Sequence, residues 1–535
     1  MRRRTFLLGS AAAVTAGFVG FGRKRAAAPI AGELLGASYR IGHLLRAGGL
    51  PAPSSERRIA VAIVGGGIAG LTAGWKLARA GFGEFEILEL EAECGGNSRF
   101  GENAVSRYPW GAHYVPVPSR ESRAVRELFE ELGVIEGYDD AGAPRCREQY
   151  LCFSPQERLF IHGRWQEGLL PLVGATRRDL DEYARFKDLV HGYRERRGAD
   201  GRKAFVIPME LSSRDASLLD LDRLSIRQFL VEQGFTSRGL HWYVDYACRD
   251  DFGCRSSDVS AWAGVHYFAS RGEESAVVTW PEGNGWLAER LRQRLAKHLR
   301  PRSLVYRVEN GPRARVVLEV FDPIEQRSTR ITADQVIFAA PTHMAKFVVA
   351  GAAQRNALDE FQYAPWMVAN LTLRGLPDEG TGPPLSWDNV IHDSDSLGYV
   401  VATHQSLRTR FDGTVLTYYF PLAGSAPDRE RQRLLDTPWS TWTRAILRDL
   451  SRPHPDIGER VSRIDVFRWG HAMVRPRPGF LAGDARRQAA TPIGNVHFAN
   501  SDLSGFSLFE EAQYRGVHAA ERVLEALRVP FTSSL

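Results

Sequence analysis

The chain has 535 residues, of which 44% are hydrophobic and 25% are charged. This is the composition of an ordinary globular protein of two or three domains, and it excludes a disordered, collagen-like or coiled-coil chain. The formal net charge of +6 arises in residues 1–28, which contain six basic and no acidic residues. The remaining chain is neutral, so no nucleic-acid partner is expected.

The first 28 residues have the features of an export signal. Residues 3–7 read Arg-Arg-Thr-Phe-Leu, which fits the core of a twin-arginine signal, and Ala-Ala-Ala at 26–28 is an Ala-x-Ala type cleavage site. The apolar stretch 6–21 is short for a bilayer span of about 20 residues. We therefore expect a periplasmic or secreted protein with no membrane span after signal removal, tethered only if the signal stays uncleaved.

The five cysteines cannot all pair with one another. Cys146 and Cys152, and likewise Cys248 and Cys254, are six residues apart and could form local disulfides in an oxidising compartment. Buried free thiols are favoured, because twin-arginine substrates fold in the reducing cytoplasm before export. No cysteine or histidine spacing indicates a metal site.

A glycine-rich turn follows the first strongly apolar segment. Residues 58–64 form a short apolar run, typical of a strand buried on both faces of a parallel sheet. Gly65 permits the tight turn, Gly67 allows a pyrophosphate to approach the backbone, and Gly70 allows close contact between helix and strand. This pattern predicts a dinucleotide-binding turn.

The residues after this turn support the same interpretation. Ile68 and Ala69 belong to the turn, Leu71 begins a segment of helical periodicity, and the N–H groups of a helix start bind phosphate. A second strand is predicted over 85–90, and Glu89 stands 19 residues after Gly70, where a carboxylate binds the adenosine ribose. The acid disfavours the 2′-phosphate of NADP.

Two further segments favour FAD over NAD. Gly95-Gly96 is followed by Arg99, and Gly111-Ala112-His113 follows soon after. Both resemble segments of the flavin amine oxidase superfamily, which includes monoamine and polyamine oxidases, protoporphyrinogen oxidase and phytoene desaturase. The resemblance implies that the first segment follows the pyrophosphate towards the flavin and that the second lies near the isoalloxazine ring.

The resemblance continues through the middle and the end of the chain. The turn and helix from Trp280 precede Val308, which by resemblance contributes backbone contacts to adenine, and strand 331–341 ends in Ala-Ala-Pro. Near the C-terminus a buried strand leads to Asp502, the counterpart of an acid that binds the ribityl chain or pyrophosphate. Phe506 belongs to the same motif, and the helix from about residue 508 would direct its dipole at the flavin.

The resemblance implies an α/β fold in which a Rossmann-type FAD-binding domain is interleaved with an α+β substrate domain. The expected boundaries are a signal over 1–28, an FAD-binding domain over 56–115, 280–345 and 486–530, and a substrate domain over 116–279 and 346–485.

Two residues that are characteristic of the amine oxidases, a cysteine bonded to the flavin and a lysine beside flavin N5, have no counterpart in this sequence. The motif at 503–506 has no cysteine, so the FAD is expected to be non-covalent. The strand over 367–373 has Ala369 or Asn370 where the superfamily has a lysine beside flavin N5. Lys346 is the nearest lysine and is expected on the surface.

The segment 467–480 resembles protoporphyrinogen oxidase and the carotenoid desaturases more closely than the amine oxidases. It places Trp469, His471 and Phe480 as candidates for the substrate side of the flavin, although a structural role for His471 is equally favoured. Arg475 and Arg477 could hold an acidic group of the substrate, but the favoured expectation is that both are solvated around the proline-rich turn.

Three functions are compatible with these residues. The first is an FAD-dependent oxidoreductase that transfers hydride from a small-molecule amine to flavin N5, with O2 or another acceptor reoxidising the flavin. The second is a desaturase, porphyrinogen oxidase or isomerase acting on an apolar substrate. The third, a non-catalytic flavoprotein, is least favoured because the FAD-binding segments are all present.

Overall fold

The structure is a computed structural model that describes residues 29–271, 276–408, 410 and 412–535. The predicted export signal, residues 1–28, lies outside the described residues. Across the described ranges, no helix combines the length and apolar character needed to cross a bilayer. These ranges also contain no group of metal-ligating side chains that could hold an ion.

Strands and helices are numbered in chain order. The strands are β1 (Leu34–Gly36), β2 (Pro53–Val64), β3 (Phe85–Leu88), β4 (Phe100–Glu102), β5 (Arg107–Pro109), β6 (Tyr114–Pro116), β7 (Ile135–Tyr138), β8 (Pro144–Cys146), β9 (Glu157–Ile161), β10 (Arg164–Glu167), β11 (Val277–Thr279), β12 (Leu299–Arg300), β13 (Leu304–Asn310), β14 (Val316–Asp322), β15 (Arg327–Phe338), β16 (Tyr363–Arg374), β17 (Asp388–Ile391), β18 (Tyr399–Val401), β19 (Gly413–Pro421), β20 (Val461–Val474) and β21 (Val496–Phe498). The helices are α1 (Tyr39–Gly42), α2 (Leu44–Ala47), α3 (Ile68–Arg79), α4 (Arg123–Glu131), α5 (Arg177–Glu195), α6 (Ala216–Leu219), α7 (Ile226–Glu232), α8 (Arg238–Phe252), α9 (Ala261–Ala269), α10 (Gly285–Arg294), α11 (Ala345–Val348), α12 (Pro427–Asp436), α13 (Trp439–Leu450), α14 (Ile457–Arg460), α15 (Ala485–Ala490) and α16 (Phe509–Ala526).

The first large sheet is built from three separated stretches of the chain. Its order is β12-β3-β2-β15-β14-β13, and β21 pairs with β15 beside this path. Pairing is parallel from β12 to β15 and between β15 and β21. The end of β2 is buried on both faces, as its unbroken apolar run predicts. The carboxyl ends of these parallel strands therefore meet at one edge.

The second large sheet has eight strands in the order β1-β20-β16-β19-β18-β17-β9-β10. At its centre β16 pairs antiparallel with β20 on one side and with β19 on the other. Helices α5, α7, α8 and α9 pack their apolar sides into a core shared with β13, β14 and β15 of the first sheet. The two sheets are thus linked through one continuous apolar interior, and the mixed α/β fold predicted from the sequence is confirmed.

One expected domain boundary differs from the packing. Residues of α4 and β7, assigned from the sequence to the substrate domain, pack in the same apolar core as β2, β3 and α3. The amphipathic helix α4 buries Val125, Leu128 and Phe129 there. Residues 123–135 therefore belong physically with the first sheet, because their apolar side faces its helices.

All five cysteines are free thiols, of which Cys94, Cys248 and Cys254 are buried and Cys146 and Cys152 half-buried.

Candidate functional site

The glycine turn joins β2 to α3 at the carboxyl edge of the first sheet. Gly65 has φ +101°, and a Cβ there would lie 2.9 Å from the backbone nitrogen of Ala340. A Cβ on Gly70 would lie 1.9 Å from Gly65 O, so only glycine lets the helix pack this closely on the turn. No side chain caps α3, which leaves the first N–H groups of the helix, at Ile68 and Ala69, without side-chain partners.

The Gly95-Gly96 segment lies directly against this turn. Gly95 N donates to Gly66 O at 2.8 Å. Gly96 has φ +56°, and a Cβ on it would come within 3.2 Å of Gly67 Cα. Two side-chain-free backbones thus face each other in front of an uncapped helix. A diphosphate fits such a cradle, and any side chain at either glycine would fill it.

Glu89 stands beside the same turn, at the end of β3. Its Oε2 accepts from Gly66 N at 2.6 Å and its Oε1 accepts from Glu91 N at 2.8 Å. Removal of the half-buried carboxylate from bulk water raises its pKa. Each oxygen keeps a second lone pair, so the carboxylate can also accept from ribose hydroxyls.

The adenine contact assigned to Val308 is wrong. Val308 is 0% exposed in the core and forms a bridge with Val349, four residues beyond the start of β13. The chain reaches the dinucleotide turn earlier, where Ser303 N donates to Glu89 O at 2.7 Å. The start of β13 is therefore the part of this strand that an adenine at Glu89 would meet.

The two segments attributed to the flavin side are held next to each other. Trp110 N donates to Arg99 O and Ala112 N donates to Asn97 O, both at 2.9 Å. A Cβ on Gly111 would lie 2.4 Å from Asn97 O, which explains the glycine. The Arg99 guanidinium pairs with the Glu91 carboxylate at 3.2 Å.

His113 follows this segment and lies among aromatic rings. Its ring stacks on Tyr419 at 4.7 Å and lies 5.4 Å from Trp387. The Tyr419 hydroxyl donates to Gly111 O at 2.9 Å, which fixes this ring against the segment. Burial lowers the pKa of His113 to about 4, so the imidazole is neutral at physiological pH.

Asp502 is buried close to the end of β21. Its Oδ2 accepts from Thr342 N at 2.9 Å and from the Tyr363 hydroxyl at 2.8 Å. Burial raises the pKa of the carboxyl.

The helix α16 begins seven residues after Asp502 without a side-chain cap, and burial raises the pKa of Glu510 in its first turn to about 7. Neither Tyr363 nor Glu510 was identified from the sequence; two consecutive acids opening a buried helix were the available signal.

Two aromatic candidates lie in the core instead of lining the site. Phe506 is 0% exposed and stacks on His266 at 4.9 Å and on Trp262 at 6.0 Å, so its side chain is unavailable to a cofactor. Phe480 is buried edge-on against Phe361 at 5.1 Å. Both assignments are corrected because these rings point into the apolar interior behind the motifs that contain them.

Trp469 and His471 lie on the same strand but face different surroundings. Trp469 Nε1 donates to Trp110 O at 2.6 Å, and Trp469 pairs in register with Trp366. This indole therefore supports the segment that ends at His113. His471 instead stacks on His343 at 4.3 Å and lines a separate cleft.

No lysine lies along the strand opposite Trp469. Asn370, one of the two positions expected to replace the lysine, donates to Pro109 O at 3.0 Å and accepts from Thr417 Oγ1 at 2.7 Å. It is a buried amide with satisfied hydrogen bonds, and it pairs in register with Asp465. Lys346 lies in α11, where it pairs with the carboxylate of Asp359 at 3.4 Å.

Arg475 is not a solvated side chain. It is 3% exposed, and it pairs with Asp258 at 3.2 Å and donates to Cys254 Sγ at 3.0 Å. Arg477 is half-buried and bonded to Glu360. The buried position of Arg475 corrects the expectation that both arginines are solvated.

The structure adds three carboxylates that the sequence did not single out. Asp250, Asp388 and Glu157, here called the interior acids, come from α8, β17 and β9. Loss of bulk water is the main cause of the raised pKa of all three, and the charge of Glu157 raises the pKa of both aspartates. The pKa of Asp250 rises to about 7. Each residue keeps part of its surface accessible, and the influence of one charge on another shows that the three lie near one another.

The interior acids lie near the His113 segment. Burial raises the pKa of Tyr419, whose ring stacks on His113, and the charges of Asp250 and Asp388 raise it further. The Tyr246 hydroxyl donates to Asp388 Oδ2 at 3.4 Å. None of the interior acids forms an ion pair with an arginine or lysine in the part of the chain described.

The comparisons with known proteins agree with this geometry. The family model of flavin containing amine oxidoreductases matches residues 68–524. The chain therefore belongs to this family and is a flavin-dependent oxidoreductase. No curated protein matches the chain.

Solved structures of the same fold have several activities. A putrescine oxidase double mutant aligns with a TM-score of 0.65 at 16% identity, over 88% of this chain and 100% of its own. Cyclohexylamine oxidase from Brevibacterium oxydans IH-35A aligns with a TM-score of 0.63 at 16% identity, over 88% and 99%. A fatty acid isomerase from P. acnes aligns with a TM-score of 0.59 at 15% identity, over 87% and 98%. At these identities the likeness concerns the fold.

Proposed function

We propose that the protein is an FAD-dependent oxidase of a cationic amine and that its FAD is not covalently attached. The observation that carries the proposal is the group of interior acids beside the His113 segment. Buried carboxylates without cationic partners are costly, and a bound ammonium group would compensate them.

The cofactor half of the proposal rests on the chain's own geometry. The Gly67–Gly96 cradle and the uncapped start of α3 would hold the diphosphate, Glu89 the ribose, and Asp502 the ribityl chain. The FAD-binding domain would be the first sheet with its three chain stretches, interleaved with the second sheet as substrate domain. The motif at 503–506 has no cysteine, which supports non-covalent binding. When bound, FAD supplies a hydride acceptor at N5.

The substrate half follows from charge and ring chemistry. Tyr419, Trp387 and Tyr246 supply aromatic faces near the interior acids, and such faces attract cations. At pH 7 Asp250 is close to its pKa, so it can accept a proton from the ammonium group as the amine becomes neutral. A neutral amine donates hydride more readily than an ammonium ion. The chain's contribution is thus to bind, orient and deprotonate the substrate.

The alternative is an apolar substrate, as for a desaturase, a porphyrinogen oxidase or an isomerase. The missing lysine and the Trp469 segment favour this alternative. The interior acids oppose it, because an apolar ligand offers these polar groups neither a hydrogen-bond donor nor a positive charge.

Anaerobic reduction of the flavin separates the two proposals. The amines putrescine and cyclohexylamine should bleach the flavin absorbance. Linoleate, a polyene and a porphyrinogen are the apolar comparison compounds, and they should leave it unchanged. An Asp250→Asn variant should lose most of this bleaching, whereas Asp334→Asn, which alters an exposed ion pair to Arg58, should keep it. Bleaching by the apolar substrates alone would overturn the amine proposal. A protein that takes up no FAD would overturn both.

Export by the twin-arginine route to the periplasm, and reoxidation by O2 or another acceptor, are also proposed. A reporter fused to residues 1–35 should be exported, and Arg3→Lys with Arg4→Lys should abolish its export. Unchanged export would exclude this route. Oxygen uptake with the amine that bleaches the flavin tests the acceptor.

A further inference from the structure

A separate cleft of about 430 Å³ lies beside Tyr363, and no step proposed above uses it. Its walls come from α2, α11, α12, the start of β16 and the end of β20. We call it the basic cleft; the argument uses its lining residues Arg46, Lys346, Arg431, His343, His471 and Phe347.

The cations of the basic cleft are poorly compensated on its inner side. The Arg431 side chain is 21% exposed, and its Nη1 donates to Tyr363 O at 3.2 Å. Its carboxylate partner Asp428 is 90% exposed, and Asp359, the partner of Lys346, is 71% exposed. Ion pairs with such exposed carboxylates are weak in water, so an anion bound inside the cleft can compete with them for the cations. Arg46 has no ion pair among the residues described.

The two imidazoles of the basic cleft, His343 and His471, are surrounded by the same positive charges. His343 and His471 stack at 4.3 Å, and His343 Nδ1 is buried with no hydrogen-bond partner. Burial lowers the pKa of both rings, that of His471 to about 3. The charged groups that act most strongly on either ring are all cations, Arg431 and Arg46 among them. No carboxylate is among the groups that act most strongly on either ring.

The basic cleft also offers a flat apolar surface beside its cations. The Phe347 ring is 38% exposed, with the Arg46 guanidinium and the Lys346 ammonium each 5.4 Å from its centroid. These cations cover part of the ring face, and the part that stays exposed is an apolar contact surface for a ligand held by the same cations. This combination suits a carboxylate group attached to a planar body.

We propose that the basic cleft binds a small organic anion, an aromatic carboxylate, with its charge at Arg431 and Arg46 and its ring on Phe347. Binding there would reach the cofactor site through one shared wall. His343 N donates to the Tyr363 hydroxyl at 3.3 Å, and that hydroxyl donates to Asp502 Oδ2. This second part, a change in the flavin environment, rests on the proposed function; the binding itself does not.

Calorimetric titration of the purified holoprotein with benzoate tests the binding, with inorganic phosphate and benzamide as comparison probes. Benzoate should bind at millimolar or lower concentration, and benzamide, its neutral analogue, at least tenfold more weakly. Arg431→Gln and Arg46→Gln should each weaken benzoate binding at least fivefold. Arg433→Gln is the matched control, since Arg433 lies on the same helix and pairs with Glu430 outside the cleft; it should change binding less than twofold.

The Arg46 guanidinium donates no hydrogen bond within the described ranges, so Arg46→Gln tests the site even if Arg431→Gln destabilises the fold. No benzoate binding to the wild type, or binding unaffected by both variants, would overturn the proposal. Phosphate binding as tightly as benzoate would overturn the role of Phe347.

The flavin absorbance spectrum tests the coupling separately. Benzoate should shift it in the wild type, and the shift should disappear in Arg46→Gln. Calorimetric binding without a spectral shift would overturn the coupling and leave the binding site in place. A protein without flavin would still bind benzoate, so failure of the proposed function is distinguishable from failure of this inference.

Discussion

The Tyr363 hydroxyl donates a hydrogen bond of 2.8 Å to Asp502 Oδ2, across 139 residues of sequence. Tyr363 begins β16 of the second sheet, and Asp502 follows β21 of the first. The acid with which the chain would hold the ribityl group is therefore oriented by a residue of the other sheet. Asp502 needs that support because burial raises its pKa and disfavours its charged form.

Tyr363→Phe should weaken FAD binding about fivefold, because a hydrogen bond of this kind contributes about 1 kcal/mol. The dissociation constant of FAD from the apoprotein, measured by flavin fluorescence, checks the change. Tyr399→Phe is the control, since that buried hydroxyl bonds to His454 in the second sheet. Equal affinities of Tyr363→Phe and the wild type would contradict the positioning role.

Gly96→Ala should abolish most FAD binding. The new Cβ would lie 3.2 Å from Gly67 Cα and would occupy the cradle in front of α3. Gly81→Ala is the matched control, because Gly81 also has a positive φ of +75° but has no atoms within 4 Å of an added Cβ. Both variants share the cost of the left-handed backbone, about 1 kcal/mol. Flavin content per protein after purification should fall only for Gly96→Ala.

Glu89→Ala should reduce FAD occupancy at least tenfold and leave the fold intact. The change removes the Glu89 carboxylate, which accepts from Gly66 N and, in the proposed function, also from the ribose hydroxyls. Glu93→Ala removes a nearby acid whose side chain is 68% exposed and pairs with Arg292, and it should bind FAD normally. Normal occupancy in Glu89→Ala would refute the ribose role.

Asp250→Asn should stabilise the protein more at pH 8 than at pH 5. The folded-state pKa of Asp250 is about 7, above the usual value of 3.8, so the native state holds the proton more tightly than the unfolded state. Native stability is therefore lost as pH rises from about 4 towards 7, and asparagine avoids this loss. Thermal melting at both pH values measures the difference. A Tm difference independent of pH would contradict the raised pKa.

The same residue predicts the pH dependence of substrate affinity. As pH rises through 7 Asp250 becomes charged, so the KM for a cationic amine should fall severalfold between pH 6 and pH 8 in the wild type. In Asp250→Asn this fall should be smaller. Steady-state kinetics at fixed ionic strength check both profiles.

The sequence predicted those parts of the site whose residues are close together in the chain. The turn at Gly65–Gly70 and the cradle glycines at 95–96 follow from local backbone geometry, which a short motif specifies. The directions of Phe506 and Phe480 do not follow from a motif, because the packing of distant helices decides which way each ring points. Val308 was misassigned for a related reason, since only the fold shows that Ser303, just before β13, is the residue that reaches Glu89.

The grouping of the three interior acids could not be predicted from the sequence for a different reason. Asp250 and Asp388 are separated by more than a hundred residues, and each resembles an ordinary surface charge on its own element. Only the fold brings them beside Glu157 and removes water from all three. The same holds for Tyr363, which has no distinguishing neighbours in the sequence.

The strand β15 has consequences for when the site can first exist. It pairs with β2, made early in synthesis, and with β21, which enters only after residue 495 has been added. The glycine turn is thus complete long before Asp502 and α16 leave the ribosome. On the proposed function, a nascent chain would hold the phosphate-binding half without the half that faces the ring, and cofactor capture would wait for the finished polypeptide.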